Sequence, residues 1–154
     1  MRILMLGAGG IGGYYGAKIH LAGGDVSFLV RPARAEQLKK NGLQVLSPFG
    51  DMQIAPKIVL AESLKENFDV IVLSCKAYDL DSAMDAIAPA MGVESVILPL
   101  LNGVRHIDLL RERFGAERVL GGVANISVTL DAEGVIHHLN QTHRLQLGVL
   151  HTPA

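Results

Sequence analysis

The sequence predicts an α/β protein built on a doubly wound, mostly parallel sheet with an antiparallel edge toward the C-terminus. Three observations predict it. Short, solid apolar runs alternate with helical stretches four times in the first 114 residues, as buried parallel strands and their crossover helices do. The first run leads directly into a glycine-rich turn. After Val119 the texture changes to strands of alternating apolar and polar residues.

In order, Arg2 to Leu6 is a strand and Gly10 to Ala22 a helix. Asp25 to Val30 is the second strand, followed by a helix over Pro32 to Lys40. Pro32 suits a first helical turn, and Asn41-Gly42 suits its C-terminal cap. Leu43 to Leu46 reads as a strand leading through Ser47-Pro48-Phe49-Gly50-Asp51 into an added hairpin. Ser63 and Glu66 have capping-box spacing. Asp69 to Ser74 is a strand before a helix at Asp79 to Ala88; Ser95 to Leu98 precedes a helix at Val104 to Phe114. Asn125 to Leu130 and Val135 to Leu139 alternate around an Asp131-Ala132-Glu133-Gly134 turn, and Arg144 to Leu150 is a last strand.

Composition narrows the function classes. With 49% hydrophobic and 19% charged residues, the 154-residue chain has the makeup of one packed domain. We assign residues 1–150 to that domain and 151–154 to a tail or cut linker. A net charge of −1, 5% aromatics and no Trp argue against a nucleic-acid surface. No apolar run reaches the roughly 18–20 residues of a membrane span. A single Cys suits a reducing compartment, so the expectation is a cytoplasmic protein without membrane association.

Gly7-Ala8-Gly9-Gly10-Ile11-Gly12 is a G-x-G-x-x-G placed between the first strand and the first helix, the context that gives the motif meaning. Gly7 permits the tight turn, Gly9 lets a pyrophosphate approach the backbone, and Gly12 lets helix and strand pack closely. The amides and dipole at the helix start then hold the phosphates. This is the signature of a Rossmann dinucleotide site. The end of the second strand selects the cofactor. An NAD site carries Asp or Glu there, whereas this chain has Arg31, 19 residues beyond Gly12. A guanidinium forms charge-assisted bonds with a 2′-phosphate, so NADP is favoured. Arg34 reads equally as a second phosphate ligand or a solvated charge.

In such sheets the ligand lies off the C-terminal strand ends, where Lys76 and Asn102 follow the third and fourth runs. A cation and an amide there suit a ribose, a carboxylate or a nicotinamide amide; a surface lysine and a turn asparagine are the plainer readings. Other patterns carry no chemistry. Tyr14 and Lys18 make a Y-x-x-x-K inside the first helix, away from any substrate. Cys75 ends a buried strand, and Asp79 and Asp81 suit a helix start. His137 and His138 point to opposite faces of a strand, and His20, His106, His143 and His151 are scattered, so no metal site is expected.

The chain resembles the N-terminal half of the ketopantoate reductase (2-dehydropantoate 2-reductase) family. The resemblance rests on M-R-I-L-M-L-G-A-G-G-I-G-G-Y-Y-G, F-L-V-R-P, V-L-S-C-K-A-Y-D, L-P-L-L-N-G-V, G-A-E-R-V-L-G-G-V-A-N-I-S and L-D-A-E-G-V-I-H-H, in order along nearly the whole chain. It implies NADPH-dependent reduction of 2-dehydropantoate to pantoate, a step toward pantothenate and coenzyme A. It assigns Gly7 to Gly12 and Arg31 to NADP, places Lys76 and Asn102 beside nicotinamide and substrate, and lines the cleft with Asn125 to Ser127, Ser127 against the cofactor. In that family a helical second domain supplies the Lys that protonates the ketone oxygen and a Glu that orients the substrate hydroxyl. This sequence ends before either, so no catalytic residue is assigned and the chain alone is expected to bind cofactor and turn over little. An apolar docking face predicts some self-association into a homo-oligomer. Two alternatives carry weight: a free-standing nucleotide-sensing Rossmann module, which usually keeps an acid where Arg31 stands, and half of another NADP-dependent 2-ketoacid or 3-hydroxyacid oxidoreductase.

Overall fold

A computed structural model describes residues 1–74, 80–101 and 105–149. Its main sheet contains β1 (Arg2–Leu6), β2 (Asp25–Leu29), β5 (Lys57–Val59), β6 (Phe68–Leu73) and β7 (Met91–Pro99), in the order β5-β2-β1-β6-β7, all parallel. The helices are α1 (Gly10–Leu21), α2 (Pro32–Asn41), α3 (Leu80–Ile87) and α4 (Arg105–Phe114). The predicted doubly wound sheet is therefore present.

Side-chain alternation explains why the strand sequences read as solid apolar runs. Met5, Phe28, Val72 and Leu98 point to one face, into a core shared with α1 and α2. Leu4, Leu29, Ile71, Leu73 and Ile97 point to the other, against Ala83, Met84 and Ile87 of α3 and Leu110 of α4. A strand covered on both faces has no polar side to show. Pro32 opens α2, and Gly42 closes it at φ +73°, with its amide donating to the Leu38 carbonyl at 2.8 Å.

A smaller sheet lies across α1. The hairpin of β3 (Leu43–Leu46) and β4 (Met52–Ile54) is joined by β10 (Val135–His138), parallel to β3, and then by β9 (Val128–Leu130), antiparallel to β10. Leu43, Val45 and Ile136 from this sheet share a core with Tyr14 and Ala17 of α1. Helix α1 is thus sandwiched, with every residue from Gly12 to Ala17 buried. Small residues permit this. A Cβ at Gly16 would meet the Phe28 ring, and one at Gly13 the Ile136 side chain. The last ribbon pairs β8 (Leu120–Asn125) antiparallel with β11 (Arg144–Val149), and Val119 makes one parallel bridge to Ile97 at the main sheet's edge. The antiparallel C-terminal strands expected from the sequence are present, divided between these two small sheets.

One local expectation fails. Ser63 and Glu66 do not form a capping box: Ala61–Ser63 is a single 3-10 turn, and Glu66 instead pairs with Arg2. The Arg2 guanidinium also donates to the Asn67 carbonyl at 3.0 Å, so the partner from β1 holds this loop in place of a helix start.

His106, in the first turn of α4, is only 4% exposed, and burial lowers its pKa below the usual 6.5. The folded state therefore holds the neutral ring, while the unfolded chain takes a proton near pH 6.5. Stability is fully present above that pH and falls as pH drops toward the folded pKa. Urea denaturation at pH 7.5 and 5.5 should show a smaller loss for His106→Gln than for the unaltered chain; equal losses would assign the acid sensitivity elsewhere.

Candidate dinucleotide site

The sheet order reverses at β1. Its chain leads away to β2 on one side, while β6 returns on the other, and the crevice between their C-terminal ends is the topological switch point. Gly7 follows β1 with φ +93°, a conformation that L side chains rarely adopt, and its amide donates to the Leu29 carbonyl at 2.8 Å. Gly9 is the N-cap of α1 and offers no side chain to the helix. The first intrahelical bond runs from the Gly13 amide to the Gly9 carbonyl at 2.7 Å, so the amides of Gly10, Ile11 and Gly12 precede the ladder. No acidic residue occupies the first turn.

The glycines have different neighbours. A Cβ on Gly9 would meet nothing within 4 Å, so the turn is open there. A Cβ on Gly12 would lie 2.8 Å from the Gly7 carbonyl oxygen and 2.7 Å from Ser74 Oγ, the close helix–strand approach the motif predicts. Ser74 Oγ in turn donates to the Leu6 carbonyl at 3.2 Å, tying the ends of β6 and β1 together. At Gly10 a Cβ would strike Val128 of β9 at 2.8 Å. Ala8 is buried, and Ile11 is half-buried against the α1 core.

Arg31 stands at the end of β2, two residues past the carbonyl that anchors Gly7, exposed, as the extended N-cap of α2. No carboxylate stands at that end of the strand. Arg34 is not the solvated charge that the sequence also allowed. It is half-buried, and its guanidinium donates to the Ala8 carbonyl from Nη2 at 2.6 Å and Nε at 3.2 Å. Its Nη1 reaches Gln37 Oε1 at 2.6 Å and the Gly134 carbonyl at 3.3 Å.

Ser127 links β8 to β9, exposed and next to the Val128 that rests on Gly10; its amide donates to Asn140 Oδ1 at 3.2 Å. Lys76 and Asn102 lie outside the described residues, as do Cys75, Tyr78, Asp79 and the 151–154 tail. The chain is last described before Lys76 at Ser74, and before Asn102 at Leu101; the Leu100 amide donates to the Leu73 carbonyl at 2.8 Å, so β6 and β7 end side by side. Two shallow depressions, of about 380 and 540 Å³, lie elsewhere, one by Leu38, Ile54 and Pro56 and one by Asn67, Gly92 and Phe114. Neither touches the turn.

A second polar cluster was not visible in the sequence. Tyr14, fully buried, bonds His143 Nδ1 at 2.7 Å, and Tyr15 donates to the His143 carbonyl at 3.0 Å. Burial raises the Tyr14 pKa and pushes Tyr15 up to about 12. His138 Nε2 lies 2.7 Å from the Thr142 carbonyl, an acceptor, so Nε2 carries the proton; its Nδ1 meets Ser47 Oγ at 2.8 Å. These bonds tie the 139–143 segment to α1 and the hairpin. They also consume Tyr14, which disposes of the Y-x-x-x-K pattern. His137 faces the other way, to Asp131 Oδ2 at 2.7 Å, and among the described residues no three His, Cys, Asp or Glu side chains gather as metal ligands. No described helix is long and apolar enough to cross a membrane.

Comparison with known proteins agrees with this geometry. The family described as "Ketopantoate reductase PanE/ApbA" matches residues 3–151. An uncharacterized oxidoreductase, YkpB of Bacillus subtilis, is 44% identical over 96% of this chain and 48% of its own length. The crystal structure of 2-dehydropantoate 2-reductase from Geobacter metallireducens superposes with a TM-score of 0.89 at 34% identity, covering 97% of this chain and 49% of that one. D-Mandelate dehydrogenase, solved with NADH and anilino(oxo)acetate, superposes with a TM-score of 0.85 at 25% identity, over 96% of this chain and 47% of its own. The chain spans about half the length of the curated relatives it matches.

Proposed function

The chain belongs to the ketopantoate reductase family of oxidoreductases, and from that premise we propose that it supplies the NADPH-binding half, residues 1–150, of a 2-ketoacid reductase that converts 2-dehydropantoate to pantoate. One observation carries the reading: the open glycine turn at the switch point is flanked by Arg31, where an NAD-selective site places a carboxylate. The turn fits a diphosphate, since the space at Gly9 is open and the first amides of α1 are not used by a capping side chain.

In this reading the backbone from Gly7 to Gly12 receives the pyrophosphate and the Arg31 guanidinium pairs with the 2′-phosphate. NADPH, when bound, supplies the hydride that reduces the ketone carbon. The family resemblance gives Lys76 and Asn102 the nicotinamide and substrate side of the cleft, with Ser127 on its rim. It gives the proton for the ketone oxygen to a Lys of the helical half, so this chain alone is expected to reduce ketopantoate negligibly. The fitting environment is the reducing cytoplasm, with no nucleic-acid partner; the exposed Val123 and Leu147 of the last ribbon favour some self-association.

The similarity to D-mandelate dehydrogenase favours a second reading, in which the same half serves a different 2-ketoacid. Titration of the chain with NADPH and NADH, followed by nicotinamide fluorescence, tests the cofactor assignment. NADPH is expected to bind at least about tenfold more tightly, the equivalent of one charge-assisted hydrogen bond. Equal binding, or a preference for NADH, would remove the 2′-phosphate role. Rapid turnover of ketopantoate by this chain would remove the division of labour between the halves.

A further inference from the structure

Resting on the dinucleotide reading, we infer that Arg34 is a positioning residue for the pyrophosphate: by holding the Ala8 carbonyl it fixes the Ala8–Gly9 peptide so that the Gly9 amide faces the phosphate. The argument begins with the peptide plane. In a trans peptide the carbonyl oxygen of one residue and the amide hydrogen of the next point to opposite sides. Two nitrogens of Arg34 grip the Ala8 oxygen, at 2.6 and 3.2 Å. The Gly9 N–H is thereby aimed the other way, on the residue whose Cβ position is open.

The turn needs such a hold. A flip of this peptide changes ψ of Ala8 and φ of Gly9, and glycine accepts either sign of φ at little cost. Without a partner on the carbonyl, the turn could present an oxygen to the phosphate in place of an N–H, and the interaction would change from attraction to repulsion. The clamp is itself well braced. Gln37 on α2 and the Gly134 carbonyl of the β9–β10 turn fix Nη1, and Gly134, at φ +87°, leaves room for it: a Cβ there would lie 2.7 Å from Nη1. The guanidinium remains charged even half-buried, so it also adds a fixed positive charge behind the phosphate turn.

This role differs from that of Arg31 in a measurable way. The pyrophosphate is common to NADH and NADPH, so Arg34→Met should weaken both about tenfold or more and leave their ratio within about twofold of the unaltered value. In ¹⁵N–¹H spectra of the chain without cofactor, the Gly9 amide signal should move or broaden, while those of Ile71 and Ile97 in the core stay in place. Arg34→Lys, which keeps a charge and one donor, should show smaller changes of the same kind and serves if Arg34→Met does not fold. A loss confined to NADPH would make Arg34 a 2′-phosphate ligand and overturn the inference. So would unchanged affinities with an unmoved Gly9 signal, or shifts spread equally over Gly9, Ile71 and Ile97. If the unaltered chain binds neither cofactor, the dinucleotide reading fails, and the Gly9 signal still decides whether Arg34 holds the turn.

Discussion

Arg31→Ala is expected to lower NADPH affinity by about ten- to hundredfold while changing NADH affinity less than about twofold. The size follows from the loss of one or two charge-assisted hydrogen bonds, worth about 1.5–3 kcal/mol. The selectivity follows from position. Arg31 lies at the end of β2, exposed, and caps α2 with its backbone and not its side chain. Truncation therefore leaves α2, opened by Pro32, in place. Parallel titrations of the two cofactors read the difference directly. Arg31→Asp should go further, because a carboxylate repels a 2′-phosphate and accepts bonds from a 2′-hydroxyl; it is expected to reverse the preference toward NADH. Equal loss of both cofactors in Arg31→Ala would move Arg31 from the 2′-phosphate to the shape of the turn.

The parts of this molecule that were legible in the sequence are those set by local chemistry. Leu4 and Met5 must both be apolar because each meets a different core, and that requirement is printed in the run itself. The glycine turn is legible because backbone constraint and packing act within six residues. The parallel pairing of β3 with β10 joins segments about 90 residues apart, and the Tyr14–His143 bond spans 129, so neither leaves a local pattern. Arg34 shows the same limit: its spacing suited a phosphate ligand, and only the proximity of Ala8 and Gly134 shows what occupies its donors. Ser63 and Glu66 erred in the other direction, since a local motif yielded to a charge from β1. Gly13 and Gly16 could have been found. They repeat the small-residue spacing of Gly9 and Gly12 along one helix, the mark of a helix approached closely from more than one side.

Gly9→Ala and Gly12→Ala, made separately, should divide binding from stability. Inside the helix, at Gly12, propensity alone favours the change, since Ala is better than Gly by up to about 1 kcal/mol; at Gly9, the N-cap, Ala is the poorer residue by a few tenths to about 1 kcal/mol. At Gly12 packing reverses the sign. The new Cβ would lie 2.8 Å from the Gly7 carbonyl oxygen; Ser74 Oγ can rotate aside, but the backbone of the turn cannot. Helix α1 cannot retreat freely either, because Ile136 of the smaller sheet presses on Gly13. Overpacking of this kind costs about 1–3 kcal/mol, so Gly12→Ala should lower Tm and, by displacing the first amides of α1, weaken NADPH and NADH alike. At Gly9 the extended φ of −82° suits alanine and its Cβ meets nothing within 4 Å, so Gly9→Ala should melt only slightly below the unaltered chain, by no more than the loss of the poorer cap. Its methyl group would stand in the space a pyrophosphate must enter, and binding of both cofactors should fall at least about tenfold. A Gly9→Ala chain that binds both nucleotides normally would mean that no phosphate approaches this turn, whatever its resemblance to one that does.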